Sequence, residues 1–246
     1  MISKCLPSLS IIVLLSLWQV FAWYLHKPLL PSPETVAIVL WKHCQSGELP
    51  YHLGMTLLRL LISFSIAMTL GCLIGILLGL YEKLNAFFDH WLVIFLNIPA
   101  LVIIILCYVW FGLVEWAAIL AVIINKLPHV IVTLREGTRA LDKDLLRMAQ
   151  CYQFSRIKTL HHVILPQLHP YIMSATRLGL ALIWKIILVV ELLGRNNGIG
   201  YQLHLFFQWF DIASLLAYTI AFISVIQVIE ILILKPLDNL AWRWRS

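Results

Sequence analysis

Charged residues are scarce in this sequence. Only 12% of the 246 residues are Asp, Glu, Lys or Arg, whereas 61% are hydrophobic. A typical soluble domain is about one-quarter charged and about half apolar. A soluble fold of this length cannot hide so much apolar surface from water, whereas a lipid bilayer contacts such a surface directly. The composition therefore excludes an ordinary soluble enzyme and predicts an all-α protein with several membrane spans.

Residue patterns that support catalysis or metal binding are also missing. The chain has no GxxxxGK(S/T) loop to hold phosphates, and no Ser/His/Asp or metal-ligand spacing. Its five cysteines are odd in number and form no CxxC pair, which favours apolar packing over disulfides. The adjacent His161 and His162 point to different sides of a helix and make poor joint ligands. We therefore expect a protein that is not an enzyme, with no catalytic residue, metal or cofactor.

Basic residues outnumber acidic ones by 18 to 12, for a formal net charge of +6. They are scattered between apolar runs and form no aromatic–basic face, so nucleic acid is not an expected partner. An excess of Lys and Arg is instead typical of the cytoplasmic loops of membrane proteins.

Apolar segments long enough to cross a bilayer as helices recur along the chain. They cover residues 9–25, 55–80, 89–109, 116–134, 171–193 and 212–234. No A-x-A cleavage site follows the first segment, so we interpret it as a retained span rather than a signal peptide. The expected organisation is an N-terminal transmembrane anchor (1–29), a periplasmic segment (30–54) and a transmembrane domain (55–241).

Lys and Arg are unevenly distributed between the loops. The loop 135–170 is the richest in them, and more lie at both chain ends and at Lys83, whereas segments 26–54 and 194–211 carry few. With six spans these two groups fall on opposite faces of the membrane. The positive-inside bias then predicts that both termini and the loop 135–170 are cytoplasmic.

Two of the loops carry helical signals of their own. Segment 32–45, SPETVAIVLWKHCQ, begins with a capping pattern and predicts a short amphipathic outer helix. Segment 140–162 predicts two short amphipathic helices joined near Tyr152–Ser155, with Pro166 and Pro170 closing the region before the fifth span. An apolar face on the water side of a membrane usually docks a partner.

The sequence of residues 147–166, RMAQCYQFSRIKTLHHVILP, resembles the coupling loop of binding-protein-dependent ABC transporter permeases. That family pattern is E-A-A, three residues, Gly, nine residues, then I-x-L-P. The residues that fit the pattern or its usual context are Ala149, Ser155, Arg156, Val163, Leu165 and Pro166. The residues that depart from it are Arg147, Met148 and Gln153, which stand for Glu, the first Ala and Gly.

Further segments resemble the same family in the same order along the chain. They are LPSPETV (30–36), GELPYHLGMTLLRLLISF (47–64), IPALVIIILCYVWFGL (98–113), ELLGRNNGIGYQL (191–203) and LAWRWR (240–245). Together they look most like the nitrate, sulfonate and taurine branch of type I importers.

This resemblance implies a division of labour between subunits. The chain would form half of a translocation pore in the bacterial inner membrane, as a homodimer surrounded by lipid. A separate ABC ATPase would dock on the coupling loop, and a periplasmic or lipid-anchored binding protein would deliver a small anionic solute. Arg147 reverses a charge on the docking surface and so implies a matched ATPase. Gln153 occupies a position where Gly permits positive φ, at a cost of about 1 kcal/mol for other residues unless the turn relaxes.

Two other classes of function remain as alternatives. The altered coupling motif also fits a membrane scaffold or a transport-defective paralogue. A membrane-embedded enzyme, such as a lipid transferase, would need a cluster of polar catalytic residues at one interface, and the sequence shows none.

Charges inside apolar segments are costly in lipid and tend to face protein or water. Lys126 and Lys185 lie well inside the fourth and fifth segments, and Glu191 lies near the end of the fifth. We expect the two lysines to line the passage and attract an anion such as a sulfonate. The alternative is a structural pairing with backbone carbonyls or with Glu191. Arg59 and Arg177 lie nearer the ends, where snorkelling would explain them.

Small residues recur every four positions in the second segment, at Gly71, Gly75 and Gly79. Such a stripe lets helix backbones approach closely. It predicts helix packing, either within this chain or across a dimer seam.

Overall fold

The computed structural model describes residues 2–25 and 29–236. Every regular element in this part of the chain is helical, which confirms the all-α prediction. The α-helices are α1 (Ile2–Leu25), α2 (Pro33–Gln45), α3 (Glu48–Leu80), α4 (Glu82–Asn97), α5 (Ala100–Phe111), α6 (Glu115–Arg139), α7 (Lys143–Cys151), α8 (Arg156–Thr159), α9 (Leu165–Gly194), α10 (Ile199–Gln208) and α11 (Ile212–Ile229). Two π-helical segments, Leu160–Ile164 and Glu230–Leu234, follow α8 and α11.

The helices α3, α6 and α9 form the centre of the molecule. Helices α3 and α6 make the most extensive contact and run parallel, because Gly71 meets Val130 and Gly75 meets Leu134. The largest apolar core lies between α3, α5, α6 and α9, and it includes the fully buried Ile104 and Ile183. This close packing fixes the N-terminal ends of α3 and α6 beside the C-terminal end of α9.

The third predicted span is not a single straight helix. Segment 89–109 is divided between α4 and α5, which meet at an angle of 96°. Ile98 is extended (ψ 126°) and is followed by Pro99. A proline disfavours helical geometry in the residue before it and lacks the N–H that would continue the ladder. The one-helix prediction for 89–109 is therefore wrong, although the two pieces together are long enough for a broken span.

The described helices include several that are long and apolar enough to cross a bilayer. They are α3, α6 and Ile212–Leu232, with the bent pair α4–α5 as a further candidate. Segment 171–193 lies within α9, whose 30 residues extend about 45 Å, and segment 9–25 lies within α1. A polytopic membrane protein is thus confirmed, whereas the number of six spans stays a prediction.

The outer helix predicted from segment 32–45 is present as α2. Ser32 caps it, since its side chain accepts a hydrogen bond from the Thr35 amide, and Pro33 occupies the first turn. Helix α3 begins at Glu48, so the expected boundary between residues 54 and 55 lies inside a helix. The basic tail 240–245 and the predicted domain end at 241 lie outside the described residues.

A second, smaller core joins α2, the start of α3, α10 and α11. Its buried members are Leu49, Ile199, Phe206, Tyr218 and Phe222. Helix α10 is thereby held against the first turns of α3. The loop that precedes α10 is consequently fixed above the ends of the central helices.

Candidate functional site

The first candidate site is the segment that resembles a coupling loop. Asp142 caps α7 by accepting hydrogen bonds from the amides of Asp144 and Leu145. Ala149 is buried at 1% exposure and holds α7 against the body of the protein. Arg147 points outward, and its guanidinium forms an exposed 3.1 Å ion pair with Asp144. Arg147 is therefore available to a partner.

The turn after α7 has the geometry expected of a Gly position. The Phe154 amide donates to the Ala149 carbonyl at 2.9 Å, and the Gln153 amide donates to the Gln150 carbonyl at 2.9 Å. This pair of hydrogen bonds is a Schellman motif, in which the residue after the C-cap adopts positive φ. Gln153 has φ 51°, so the turn does not relax around the larger residue. Ser155 then caps α8 by accepting from the Lys158 amide.

The second half of the loop is not a separate short helix. Helix α8 passes through the π-helical segment 160–164 directly into α9, with Pro166 in the first turn of α9 and Pro170 inside it. A proline ring crowds the carbonyl four residues earlier, and the wider π-helical backbone before Pro166 provides room for it. The prediction that these prolines close the region is thus wrong. The second half of the loop is continuous with a long central helix.

The solvent-exposed side of the loop 143–160 carries large apolar side chains, which we call the coupling surface. Its members, all between 40% and 79% exposed, are Leu145, Met148, Tyr152, Ile157 and Leu160. Arg156 and Lys158 are exposed beside them, and the Lys158 ammonium lies 4.2 Å from the centre of the Phe154 ring. Val163 is buried, whereas Leu165 and Pro166 are exposed. The segment therefore presents an apolar face with a basic margin.

The second candidate site is a largely buried polar cluster where the N-terminal ends of α3 and α6 meet the C-terminal end of α9, and we call it the Arg59 cluster. It consists of Thr56 and Arg59 from α3, Glu115 from α6, and Glu191 and Arg195 from the end of α9. The Arg59 side chain is only 2% exposed. Its Nη1 donates to Glu191 Oε1 at 2.6 Å, and its Nε and Nη2 donate to the two oxygens of Glu115 at 2.5 and 3.1 Å.

The Arg59 cluster also holds the loop before α10. Glu191 is fully buried, and its Oε2 accepts from Thr56 Oγ1 and from the Gly200 amide, both at 2.9 Å. Arg59 donates to the Asn197 carbonyl at 3.1 Å and to the Asn197 side chain. Buried charges are costly unless they are paired and hydrogen-bonded, and here every oxygen of Glu191 has a partner.

Snorkelling does not describe Arg59, because this residue is almost completely buried and ion-paired. The alternative in which one of the lysines pairs with Glu191 does not hold, since Glu191 pairs with Arg59. Sequence reasoning missed Arg59, Glu115 and Arg195 as members of one site. A signal was nevertheless present. Two basic and two acidic residues lie near the same predicted ends of apolar segments, which is the balance that a buried network requires.

The two lysines predicted in the passage lie in different environments. Lys126 is 2% exposed. The end of its side chain contacts α9 at Gly179, where an added Cβ would lie 2.7 Å from Lys126 Cε. Lys185 is exposed on α9, and its ammonium lies 5.5 Å from the centre of the Trp184 ring. Only Lys126 is thus enclosed between central helices.

The glycine stripe of α3 faces α6 of the same chain. An added Cβ at Gly71 would lie 2.5 Å from Val130 Cγ1, and one at Gly75 would lie 2.7 Å from the Ile131 carbonyl oxygen. At Gly79 the added atom would meet Thr138. The stripe is therefore occupied by packing within the chain, which leaves it unavailable as a dimer seam.

Comparison with known proteins bears directly on these sites. A model of the family described as the binding-protein-dependent transport system inner membrane component matches residues 67–234, which include all of the coupling surface. The putative aliphatic sulfonates transport permease protein SsuC of Escherichia coli is 34% identical over 190 residues, covering 76% of this chain and 72% of that protein.

Two further relatives extend the comparison. The taurine transport system permease protein TauC of Escherichia coli is 27% identical over 244 residues, or 96% of this chain and 88% of that protein. The bicarbonate transport system permease protein CmpB of Synechococcus elongatus is 30% identical over 207 residues, or 80% of this chain and 74% of that protein. The resemblance is confirmed: the chain belongs to the family of inner membrane components, or permeases, of binding-protein-dependent ABC transport systems.

Proposed function

We propose that the chain is the permease subunit of an ATP-driven importer for a small anionic solute of the sulfonate, taurine or nitrate kind. It acts as one half of a homodimeric pore in the bacterial inner membrane, with both termini in the cytoplasm. An ABC ATPase docks on the loop 147–166, and a periplasmic or lipid-anchored binding protein delivers the solute at the opposite face. The relatives that are named for sulfonates and taurine support this substrate class.

The observation that carries the proposal is the coupling surface. A set of large apolar side chains is exposed on a loop that the charge distribution places in water, which is typical of a docking site. Ile157, at 79% exposure, is the most prominent of them. Because α8 continues into α9, a movement of the coupling surface is transmitted directly to a central helix. This continuity is what coupling of ATPase closure to pore opening requires.

The motif residues have separate roles in this proposal. Arg147, Met148, Ser155 and Arg156 are exposed and face the ATPase, and Leu165 and Pro166 extend that face. Ala149 and Val163 are buried and hold the loop in place. The positive φ of Gln153 preserves the turn although Gly is absent. This preserved geometry favours a working coupling loop over the alternative of a scaffold or a transport-defective paralogue.

The docking role is tested by co-purification with an ABC ATPase subunit of a sulfonate or taurine importer. Ile157→Asp puts a charge in the centre of the apolar face and should reduce the recovered ATPase by about tenfold or more. The control is Ile38→Asp, the same change at a half-exposed position of α2, which should leave recovery unchanged. Undiminished binding by Ile157→Asp, or by a chain that lacks residues 147–166, would contradict the proposal.

Lys126 and Lys185 are assigned to the translocation passage, and Glu191 to its outer end. A buried ammonium such as Lys126 favours the presence of an anion because it has left water without gaining a carboxylate partner among the described residues. Replacing each lysine by Met and measuring uptake of the anion in vesicles tests this. Uptake at the wild-type rate in both variants would remove the lysines from the passage.

A further inference from the structure

The Glu115 carboxylate has the surroundings of a bound anion. Arg59 contacts both of its oxygens through Nε and Nη2, at 2.5 and 3.1 Å. Arg195 contacts Oε2 through Nη2 at 2.6 Å. Two guanidinium groups that converge on one carboxylate form a strong oxoanion site, because the planar fork of arginine matches such groups. In this structure the side chain of the protein itself occupies that site.

The guanidinium of Arg195 has a hydrogen-bond donor that is not used. The Nε–H and one Nη2–H of a guanidinium lie side by side on the same edge, so an oxoanion on that edge accepts from both. Arg195 Nε is buried and has no hydrogen-bond partner among the described residues. The other terminal nitrogen, Nη1, donates to the Leu113 carbonyl at 2.8 Å and so fixes the orientation of the group. Glu115 contacts Arg195 through Nη2, and neither of its oxygens is hydrogen-bonded to this Nε donor.

The remaining surroundings favour exchange at this site. Glu115 is 41% exposed and so is reached from water, whereas the two arginines behind it are 2% and 12% exposed and would be uncovered by its departure. Glu191 is fully buried and stays paired with Arg59 Nη1, which neutralises one of the two positive charges. Departure of the Glu115 side chain would therefore leave one net positive charge and an unsatisfied row of N–H donors.

We propose that Arg59 and Arg195 form a binding site for a sulfonate group at the outer end of the passage, and that Glu115 occupies this site until the solute displaces it. A sulfonate has three oxygens. Two replace those of Glu115, and the third accepts from the unused Nε of Arg195. The proposal rests on the anionic substrate class proposed above and assigns it to particular donors. Small carboxylates match the site less well because they lack the third oxygen.

The test measures binding of radiolabelled methanesulfonate to the purified full-length chain in detergent by equilibrium dialysis. Glu115→Gln removes the competing charge and should bind the probe about tenfold more tightly than the wild type. Glu115→Gln combined with Arg195→Gln should lose this gain. Glu34→Gln, the same change on an exposed part of α2, should behave as the wild type. Acetate should compete more weakly than unlabelled methanesulfonate.

Several results would overturn the assignment. These are equal binding by Glu115→Gln and the wild type, a gain that persists without Arg195, or equal competition by acetate. If Glu115→Gln is less stable than the wild type, methanesulfonate but not chloride should raise its melting temperature, and an unchanged temperature also counts against the site. The measurement requires neither ATPase nor binding protein. A failure of the proposed transport function would therefore appear in the docking and uptake assays and leave this binding result unaffected.

Discussion

The backbone conformation of Gln153 shows that the turn after α7 keeps the geometry of the family motif. Its φ of 51° is one of the two positive values at non-glycine positions within the described residues. The surrounding Schellman hydrogen bonds require this conformation, and a residue with a Cβ adopts it at a cost. The departure from the family pattern therefore changes the energy of the turn and leaves its shape intact.

We expect Gln153→Gly to stabilise the turn by about 1 kcal/mol, because Gly adopts positive φ without steric cost. The amide of Phe154, which closes the motif, should then exchange with solvent about fivefold more slowly in hydrogen-exchange measurements. The control is Gln150→Gly, three residues earlier within α7, which should instead destabilise the helix by about 1 kcal/mol. A faster exchange in Gln153→Gly would show that the side chain of Gln153 makes an unrecognised stabilising contact.

Arg59 is a residue whose environment could not be inferred from its position in the sequence. Its position near the end of an apolar segment suggested a side chain that reaches for water, yet it is buried among Glu115, Glu191 and Asn197. Snorkelling and ion pairing are both solutions to the same problem, the cost of a charge in an apolar medium. Only the presence of partners on other helices decides between them.

At the scale of the element, the contact between α3 and α6 depends on small residues. The two helices are parallel, and each glycine of the stripe meets a side chain or backbone atom of α6. Close approach of this kind increases the van der Waals packing that helps to hold helices together in lipid, where the hydrophobic effect between them is absent. The stripe is thus a structural feature of the single chain.

We expect Gly75→Ala to destabilise the protein by about 1–3 kcal/mol, because the new methyl group would overlap the Ile131 carbonyl and Leu134. Thermal unfolding of the purified chain in detergent measures this as a lower midpoint. The matched control is Gly54→Ala in the same helix, where an added Cβ meets nothing within 4 Å. That change should be neutral or stabilising, since Ala is the better helix former. Equal midpoints for the two variants would contradict the packing described here.

The elements α8 and α9 form one continuous unit across the π-helical segment. The sequence suggested two separate pieces because prolines usually end helices. A local widening of the backbone instead accommodates Pro166. The exposed apolar face of the loop is consequently attached to a central helix by continuous helical backbone.

At the scale of the whole molecule, the orientation in the membrane is the most consequential untested prediction. The Lys and Arg distribution places α2 outside and α7 in the cytoplasm. The chain carries a natural probe for each side, because Cys44 in α2 and Cys151 at the end of α7 are both exposed. Cys107 is buried and provides an internal reference.

A membrane-impermeant maleimide should label Cys44 in intact spheroplasts and Cys151 only after lysis. The measurement uses a chain with Cys5 and Cys72 replaced by serine, and the variants Cys44→Ser and Cys151→Ser assign each product. Cys107 should remain unlabelled in both conditions. Labelling of Cys151 before lysis would reverse the orientation and place the coupling surface on the side without ATP.

The sequence by itself determined the class of the protein, its family and the position of the turn near Tyr152–Ser155. These properties depend on residues that are close together in the sequence. They are apolar runs of bilayer length, the cap at Ser32, the ordered family segments and Gln153 at the Gly position of the motif. Even the break at Pro99 had a local signal, although the length of the apolar run concealed it. Local patterns are readable because the interactions that produce them join residues within one or two helical turns.

Only the tertiary structure decided which distant residues meet. Arg59 reaches Glu115 and Glu191 across 56 and 132 positions of the chain, and the composition of each segment alone does not select these partners. The same holds for the glycine stripe, which had two open interpretations until α6 was found against it. The physical reason is that burial and charge pairing depend on how helices pack, and packing is a property of the assembled bundle.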